Sequence, residues 1–395
     1  MPLSPAPHCA NLPRRRGPLV RRTAVIVAQR RRDFGFGRLV GHDGRVRVLV
    51  LGGSWFVGRV LVADAVRRGH EVTVFNRGLS PLAPVPGVRR VHGDRESVGD
   101  LQVLAGCGPW DVVVDVAGGV PAVVSRSSRI LAGVVDRVVF VSTVSAYRDW
   151  PYAPVGEDSP LWDGDPDFDP GTREWDPDAY GPLKAGCEIA WQRAVAPGRL
   201  LIIRPHVVLG RYKYVGRLPW WLDRMRRGGR VLAPAPDRGI QPVDVRDLVR
   251  FLLDQIEAGG HGVFNVAAPV DGYTYGDMLR ACIRETAAVA EHPAELVWVS
   301  EKWLVGQGVA QWTGLPLWRA ASAPWGMNVD RALAAGLRCR PLPDTVRDVW
   351  AWLRGGGRPV AHERLAQHGI DPDREAALID RWLATPVRRR GGPAV

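Results

Sequence analysis

Val46-Arg47-Val48-Leu49-Val50-Leu51-Gly52-Gly53-Ser54-Trp55-Phe56-Val57-Gly58 is the stretch whose reading decides the fold. Its apolar run, interrupted by a single arginine, fits a strand buried on both faces, and the glycine cluster then turns the chain into a helix expected over residues 59–68. Gly69 reads as the stop of that helix, and Glu71 to Phe75 as a second strand. One strand–helix–strand unit of about 30 residues results, the length of a nucleotide-binding half-fold.

Outward from this unit the chain keeps alternating. A short strand at 89–92, a helix at 97–104, a strand at 111–116, a helix at 122–132, a strand at 137–142, a helix at 183–194 and a strand at 200–204 follow with short links. The alternation predicts an α/β protein with a Rossmann-like doubly wound parallel sheet, covered by helices on both faces, with ligands outside the carboxyl ends of the strands. Pro151 to Pro177, acidic and rich in Pro and Trp, reads as a long loop on that ligand side. Beyond residue 210 helices are expected over 244–256 and 276–286 and a strand over 262–266, the mixed pattern of a smaller C-terminal α/β substrate lobe assembled from discontinuous segments. The expected division is a disordered Arg-rich extension at 1–44, the Rossmann domain at 45–210, mainly the substrate lobe with returning segments at 211–353, and at 354–395 a linker, a terminal helix capped by Asp371-Pro372 and a disordered tail.

Composition narrows the function classes. At 46% hydrophobic and 24% charged the chain is ordinary for a globular protein, and no apolar run approaches the about 18 residues of a membrane span, so a cytoplasmic location without membrane association is expected. Cys9, Cys107, Cys187, Cys282 and Cys339 are scattered without CxxC or Cys/His spacing, which speaks against a disulfide framework or a metal site. The net charge of +12 raises a nucleic-acid reading, but residues 1–47 carry eleven Arg against Asp33 and Asp43, so +9 of it lies in the tail. A basic tail is a generic signal, and nucleic acid is the weaker partner expectation. Because the folded pattern starts abruptly at Val46, translation beginning there from a non-Met codon is a further expectation. Oligomeric state has no marker in the sequence.

The chemistry is read from four places. A glycine turn between strand and helix binds phosphate because the helix N-terminus aims free N–H groups and a positive dipole at the anion. The next strand ends in Asn76-Arg77, where an NAD site usually places Asp or Glu for the ribose hydroxyls; an arginine there suits a 2′-phosphate and leans the cofactor toward NADP. Ser142-Thr143-Val144-Ser145-Ala146-Tyr147 closes the strand at 137–142, and Tyr180-Gly-Pro-Leu-Lys184 opens a helix. Tyr and Lys at i and i+4 share one side of that helix, where the ammonium lowers the phenol's pKa and lets it exchange a proton with a carbinol or carbonyl, while a strand-end hydroxyl holds the same oxygen. With seven tyrosines and three lysines in the chain, the chance expectation for a Tyr-x-x-x-Lys match is only ~0.05.

Taken together, Gly-Gly-x-x-Phe-x-Gly after the first strand, Gly93-Asp94-Arg95 after the third, Ser-Thr-x-x-x-Tyr after the fifth and Tyr-x-x-x-Lys resemble the extended or atypical short-chain dehydrogenase/reductase superfamily, of the NAD-dependent epimerase/dehydratase type. The likeness runs from about Val46 to Leu353, includes Arg204-Pro205 and Asp244-Val-Arg-Asp247-Leu, and is nearest the branch of chloroplast stem-loop-binding proteins and actinobacterial reductases. It implies an NAD(P) cofactor whose pyrophosphate lies along Gly52, Gly53, Ser54, Trp55, Phe56, Val57 and Gly58. It implies Asn76 and Arg77 at the adenosine ribose, Asp94 and Arg95 at the adenine edge, Ala117 and Gly118 beside the cofactor, and Pro205 and His206 at the nicotinamide. Thr143, Tyr180 and Lys184 would be the catalytic set, acting on a carbinol or carbonyl of a small or nucleotide-linked substrate, with Lys184 also orienting the ribose. No metal is implied.

Two departures qualify the resemblance. Trp55 stands where typical extended members have a middle glycine, and Val144-Ser145 replace the Asp-Glu pair of relatives that remove water from nucleotide sugars, which weakens a dehydratase reading. The competing class is a non-catalytic NAD(P)-binding sensor or RNA-binding protein of the same fold. Arg211, Lys213, Arg217 and Trp220-Trp221 read equally as a cap over a phosphate- or aromatic-bearing substrate and as an amphipathic helix packing between lobes.

Overall fold

In the computed structural model, residues 44–171, 176–359 and 368–386 are described. The expectations for residues 1–43 and for the Arg388–Arg390 tail lie outside them. The chain runs β1 (Arg47–Leu51), α1 (Phe56–Arg67), β2 (Glu71–Asn76), β3 (Arg89–His92), α2 (Val98–Gly106), β4 (Trp110–Asp115), α3 (Pro121–Leu131), β5 (Val135–Val141), α4 (Tyr180–Ala194) and β6 (Leu200–Pro205). It continues with α5 (Arg217–Arg227), β7 (Gly229–Pro234), α6 (Val245–Ala258), β8 (Gly262–Val266), α7 (Tyr275–Thr286), β9 (Ala294–Val299), α8 (Leu342–Arg354) and α9 (Pro372–Ala384), with shorter pieces between.

Seven strands form one sheet in the order β8-β6-β5-β4-β1-β2-β3, and every pairing is parallel. The order reverses at β1, which places a crevice at the carboxyl ends of β1 and β4, where ligands of doubly wound sheets sit. The two-residue period of β1 explains the layering: Val48 and Val50 join α1 and α6 in one core, whereas Leu49 and Leu51 face the core formed with α2, α3 and α4. All four are 1% exposed or less, so β1 is the buried spine of the domain. β8, from residue 262 onward, returns to this sheet beside β6.

A second core fills the C-terminal lobe, where β7 pairs in parallel with β9 and α5, α7, α8 and α9 pack around Trp221, Met225, Leu232, Met278, Leu279 and Trp382. The sequence pattern does not announce β7 and β9, because β7 has only four buried positions and its partner lies some sixty residues further on. α9 is built into this lobe: Leu378, Ile379 and Trp382 are buried, and Glu375 accepts from Leu232 N (3.0 Å) and from Arg224 Nε (2.7 Å). Asp371 caps α9 by accepting from Arg374 N, with Pro372 in its first turn.

The long segment after β5 does more than cover the ligand side. Leu161 bridges Tyr147, Val155 bridges Met327, and a Cβ at Gly164 would lie 2.2 Å from Gly186 N, so the segment seats directly on α4 through two glycines. Among the described residues no helix is long and apolar enough to cross a membrane, and no group of His, Cys, Asp or Glu could hold a metal ion.

Candidate active site

A cavity of about 560 Å³ opens at the carboxyl ends of β1, β2, β3 and β4. Gly52, Gly53, Ser54, Trp55, Phe56, Val57, Gly58, Asn76, Arg77, Asp94, Arg95 and Ala117 all line it; Gly118, Pro205, His206, Thr143 and Lys184 do not. Tyr180 is also outside its lining. Gly52 and Gly53 turn the chain at φ +108° and +82°, and a Cβ at Gly58 would stand 2.9 Å from Gly53 Cα, so this glycine lets α1 start flush against the turn. α1 begins at Phe56, three residues before the sequence pattern predicts, because the turn is this tight. Trp55 extends into the wall: its Nε1 donates to Ser80 Oγ (3.2 Å) and its ring lies 5.8 Å from Tyr214, a cavity residue that the sequence reading missed.

Asn76 and Arg77 divide their work. The Asn76 amide nitrogen donates to Gly52 O (3.1 Å) and Ser54 Oγ (2.9 Å), and its oxygen accepts from Gly78 N (2.9 Å), so this side chain braces the glycine turn. Arg77 is exposed on the cavity rim and makes no ion pair among the described residues. Arg95 is likewise more of a brace than a free ligand-binding group. Its guanidinium clasps Asp115 (Nη1–Oδ1 2.8 Å, Nη2–Oδ2 2.5 Å) and also donates to Ser127 Oγ. Asp94 shapes its own turn, accepting from Glu96 N at Oδ1 while its backbone N–H reaches Asp100.

Thr143 follows β5 and caps a single helical turn, Val144–Ala146, by accepting from Ser145 N (3.2 Å). Tyr180 is the first residue of α4. A Cβ on its neighbour Gly181 would lie 2.4 Å from Ser145 O, so the glycine permits the start of α4 to abut the Thr143 turn. One turn on, Lys184 is 5% exposed, donates to Gly118 O (2.7 Å) and Val141 O (2.8 Å), and has Nζ 4.2 Å from the Phe140 ring centroid. Burial depresses its pKa, opposed by the nearby Asp115 and Glu188 charges. Four residues further, Glu188 forms a two-point buried pair with Arg204 (3.0 and 2.6 Å), whose Nη1 also donates to Tyr147 Oη (3.0 Å).

Around His206 lies an aromatic cluster that the mixed pattern of residues 310–326 concealed. His206 stacks on Trp325 (4.7 Å, 22°) and meets Trp150 edge-on (5.8 Å). Its Nε2 donates to Pro324 O and its Nδ1 accepts from Val207 N (2.8 Å each), and burial pulls its pKa down to about 4, so this is a neutral, internally satisfied ring. Arg319 lies between Trp150 (5.0 Å) and Trp312 (5.1 Å) with no acid partner among the described residues. Burial lowers its pKa, partly offset by the Tyr152 and Asp178 charges, and Asp178 is two residues before Tyr180. The buried Arg319 Nη1 and Trp325 Nε1 find no hydrogen-bond acceptor among the described residues. Of the two readings of the 211–221 segment, packing fits Trp221, fully buried with Nε1 on Pro316 O (2.8 Å), and Arg211, which pairs with Asp348 (2.9 Å).

No family model matches the chain. It is 31% identical over 244 residues, 55% of this chain and 70% of the relative, to a dTDP-6-deoxy-L-talose 4-dehydrogenase (NAD(P)(+)) of Kitasatospora kifunensis. The chain belongs to the extended short-chain dehydrogenase/reductase family. Within that family it is also 24% identical over 264 residues to the chloroplast stem-loop binding protein of 41 kDa b of Arabidopsis thaliana, aligning 62% of this chain with 64% of that protein, just under two thirds of its length. Among solved structures, the Bordetella bronchiseptica enzyme WbmH in complex with NAD+ shares the fold, with a TM-score of 0.61 and 18% identity over 80% of this chain and 100% of that one. The seven-stranded parallel sheet with helices on both faces is the fold of this short-chain dehydrogenase/reductase.

Proposed function

We propose that this protein is an NAD(P)-dependent oxidoreductase or epimerase acting on a carbinol or carbonyl carbon of a small or nucleotide-linked substrate. The observation that carries the reading is the abutment of the Tyr180–Lys184 turn of α4 on the Thr143 turn, beside a cavity that follows the glycine turn of β1. The residues present fit a dinucleotide: a cavity of about 560 Å³ at the strand ends, a helix N-terminus behind a glycine turn, and an arginine at the rim with no ion pair among the described residues. When bound, that cofactor supplies or accepts a hydride. Tyr180 gives or takes the proton at the substrate oxygen, Thr143 Oγ1 donates to the same oxygen, and the Lys184 ammonium, with two of its three N–H groups on Gly118 and Val141 carbonyls, keeps one for the phenol or a ribose hydroxyl.

The absence of an acid at Asn76 and the free Arg77 support a preference for NADP. Arg319 and Trp325, whose buried donors find no acceptor among the described residues, support an anionic, nucleotide-linked substrate, in keeping with the dTDP-sugar named for the Kitasatospora relative. Two measurements test the reading. Tyr180→Phe is expected to lower turnover about 10²-fold or more while leaving cofactor affinity intact, and undiminished turnover sinks the mechanism. Arg77→Ser is expected to weaken NADPH binding about tenfold, one charge-assisted contact, without changing NADH binding, both followed by energy transfer from tryptophan.

A second reading, an RNA-binding protein of this fold, rests on the likeness to the plastid stem-loop binding protein. It predicts salt-dependent RNA affinity in the full chain that Tyr180→Phe leaves unchanged, and no substrate-dependent oxidation of NADPH.

A further inference from the structure

The end of β4 holds a carboxylate that neither the glycine turn nor the Tyr-Lys motif accounts for. Asp115 has a side chain 0% exposed, and it accepts four hydrogen bonds from three residues: Arg95 at both oxygens, Trp191 Nε1 (3.0 Å), and the backbone N–H of Ala117 (3.1 Å). Trp191 stands two turns beyond Lys184 on α4, so both point to the same side of that helix. α4 therefore grips the loop after β4 twice. Trp191 reaches Ala117 through Asp115, and Lys184 bonds Gly118 O directly. Between the two grips there is no spare room: a Cβ at Gly118 would stand 2.6 Å from the Phe140 ring and 3.1 Å from Asp115 Oδ2.

The charges around Lys184 come from four elements. Asp115 ends β4, Arg95 follows β3, Cys187 and Glu188 lie on α4 itself, and Arg204 on β6 holds Glu188 in its two-point pair. Tyr180 is one turn earlier on the same helix. Burial pushes the Cys187 thiol up to about 12, which keeps it neutral, and Glu188 is taken by Arg204. Asp115 and Glu188 are each held by an arginine and both favour the charged lysine, Asp115 the more strongly, while Arg95, which shares Asp115, opposes the lysine's charge.

We propose that Asp115 is a positioning residue for Lys184: it fixes the 116–120 loop against α4 and balances the buried ammonium, with Arg95 setting how much of its charge is left for that task. The Arg95–Asp115 pair thereby links the far end of the cavity, lined by Asp94 and Arg95, to the Tyr180–Lys184 turn. The importance of the link for turnover rests on the reading of Lys184 as part of the catalytic set, but the link itself is open to measurement without any substrate.

The chain has three lysines, Lys184, Lys213 and Lys302, so the full protein grown with lysine labelled at the ε-carbon gives three resonances to titrate. Lys184 is assigned as the resonance lost in Lys184→Arg. Asp115→Asn is expected to lower the Lys184 midpoint by about one pH unit or more, and Arg95→Gln to raise it, with Lys213 and Lys302 unmoved. Opposite shifts are what charge balance demands, and loosened packing alone would move both variants the same way. Midpoints that stay put, or move together, overturn the proposal. Where Asp115→Asn does not fold, Arg95→Gln decides alone, a rise reversed by Arg95→Lys supporting the proposal and no rise overturning it. Should the lysine midpoints shift as expected while Tyr180→Phe leaves turnover intact, the catalytic reading fails and the positioning of Lys184 stands.

Discussion

Arg204 and Arg319 are both largely withdrawn from water, yet they live under opposite conditions. Arg204 has Glu188 on two prongs, Tyr147 Oη and the Glu157 carbonyl, and despite the cost of burial these partners hold its pKa above the usual arginine range. Arg319 has two indole faces and no acid among the described residues, and burial depresses its pKa. The lesson is that burial alone does not decide how a cation is held: Arg204 is satisfied by acceptors from the chain, whereas Arg319 keeps an Nη1 without an acceptor among the described residues.

Three experiments test that contrast. The largest effect is expected for Arg204→Met, which strands Glu188 as an unpaired charge in a 0% exposed site; removing one partner of such a pair costs about 3–5 kcal/mol, read as a lower urea midpoint at unchanged slope. A wild-type midpoint would show that Arg204 is no more framework than Arg319. Next comes His206, in contact with the same aromatic cluster as Arg319. Its folded-state pKa of about 4 lies below the ordinary 6.5, so the unfolded chain takes up a proton first as pH falls. Stability is full above pH 6.5 and declines toward pH 4, by an amount of order 3 kcal/mol, and His206→Gln should flatten that decline. The smallest effect on stability belongs to Arg319→Met, which should leave the urea midpoint unchanged or slightly raised while weakening a nucleotide-linked substrate about tenfold, as expected for one charge-assisted contact. A large loss of stability there would make Arg319 framework after all.

How much of this could be read beforehand follows the range of the forces involved. β1, α1 and β2 declare themselves because each is a continuous local pattern, and β3 and β8 match their expected bounds. The residues around the glycine turn are legible for the same reason: spacing along one strand–turn–helix unit places them on one cavity. What escapes is everything that depends on a distant partner. Arg95 lines the cavity as expected, but its pairing with Asp115, twenty residues on, has no local signal. Asn76 lines the cavity as its position suggests, but that its amide also braces Gly52 and Ser54 is not legible from the pattern. The Trp150–Arg319–Trp312 stack joins residues about 160 positions apart in a segment without period, and no local signal announces it.

The placement of α9 bears on how the molecule comes into being. The parallel sheet is complete once β8 has been made, at residue 266, whereas the lobe still lacks Leu378, Ile379 and Trp382 in its core and Glu375 on Arg224. During synthesis the sheet half therefore has its strands in hand while the other half waits for residues 372–384, and until those emerge the Leu232 N–H of β7, the Arg224 guanidinium and the Trp303 ring lack their partners from α9.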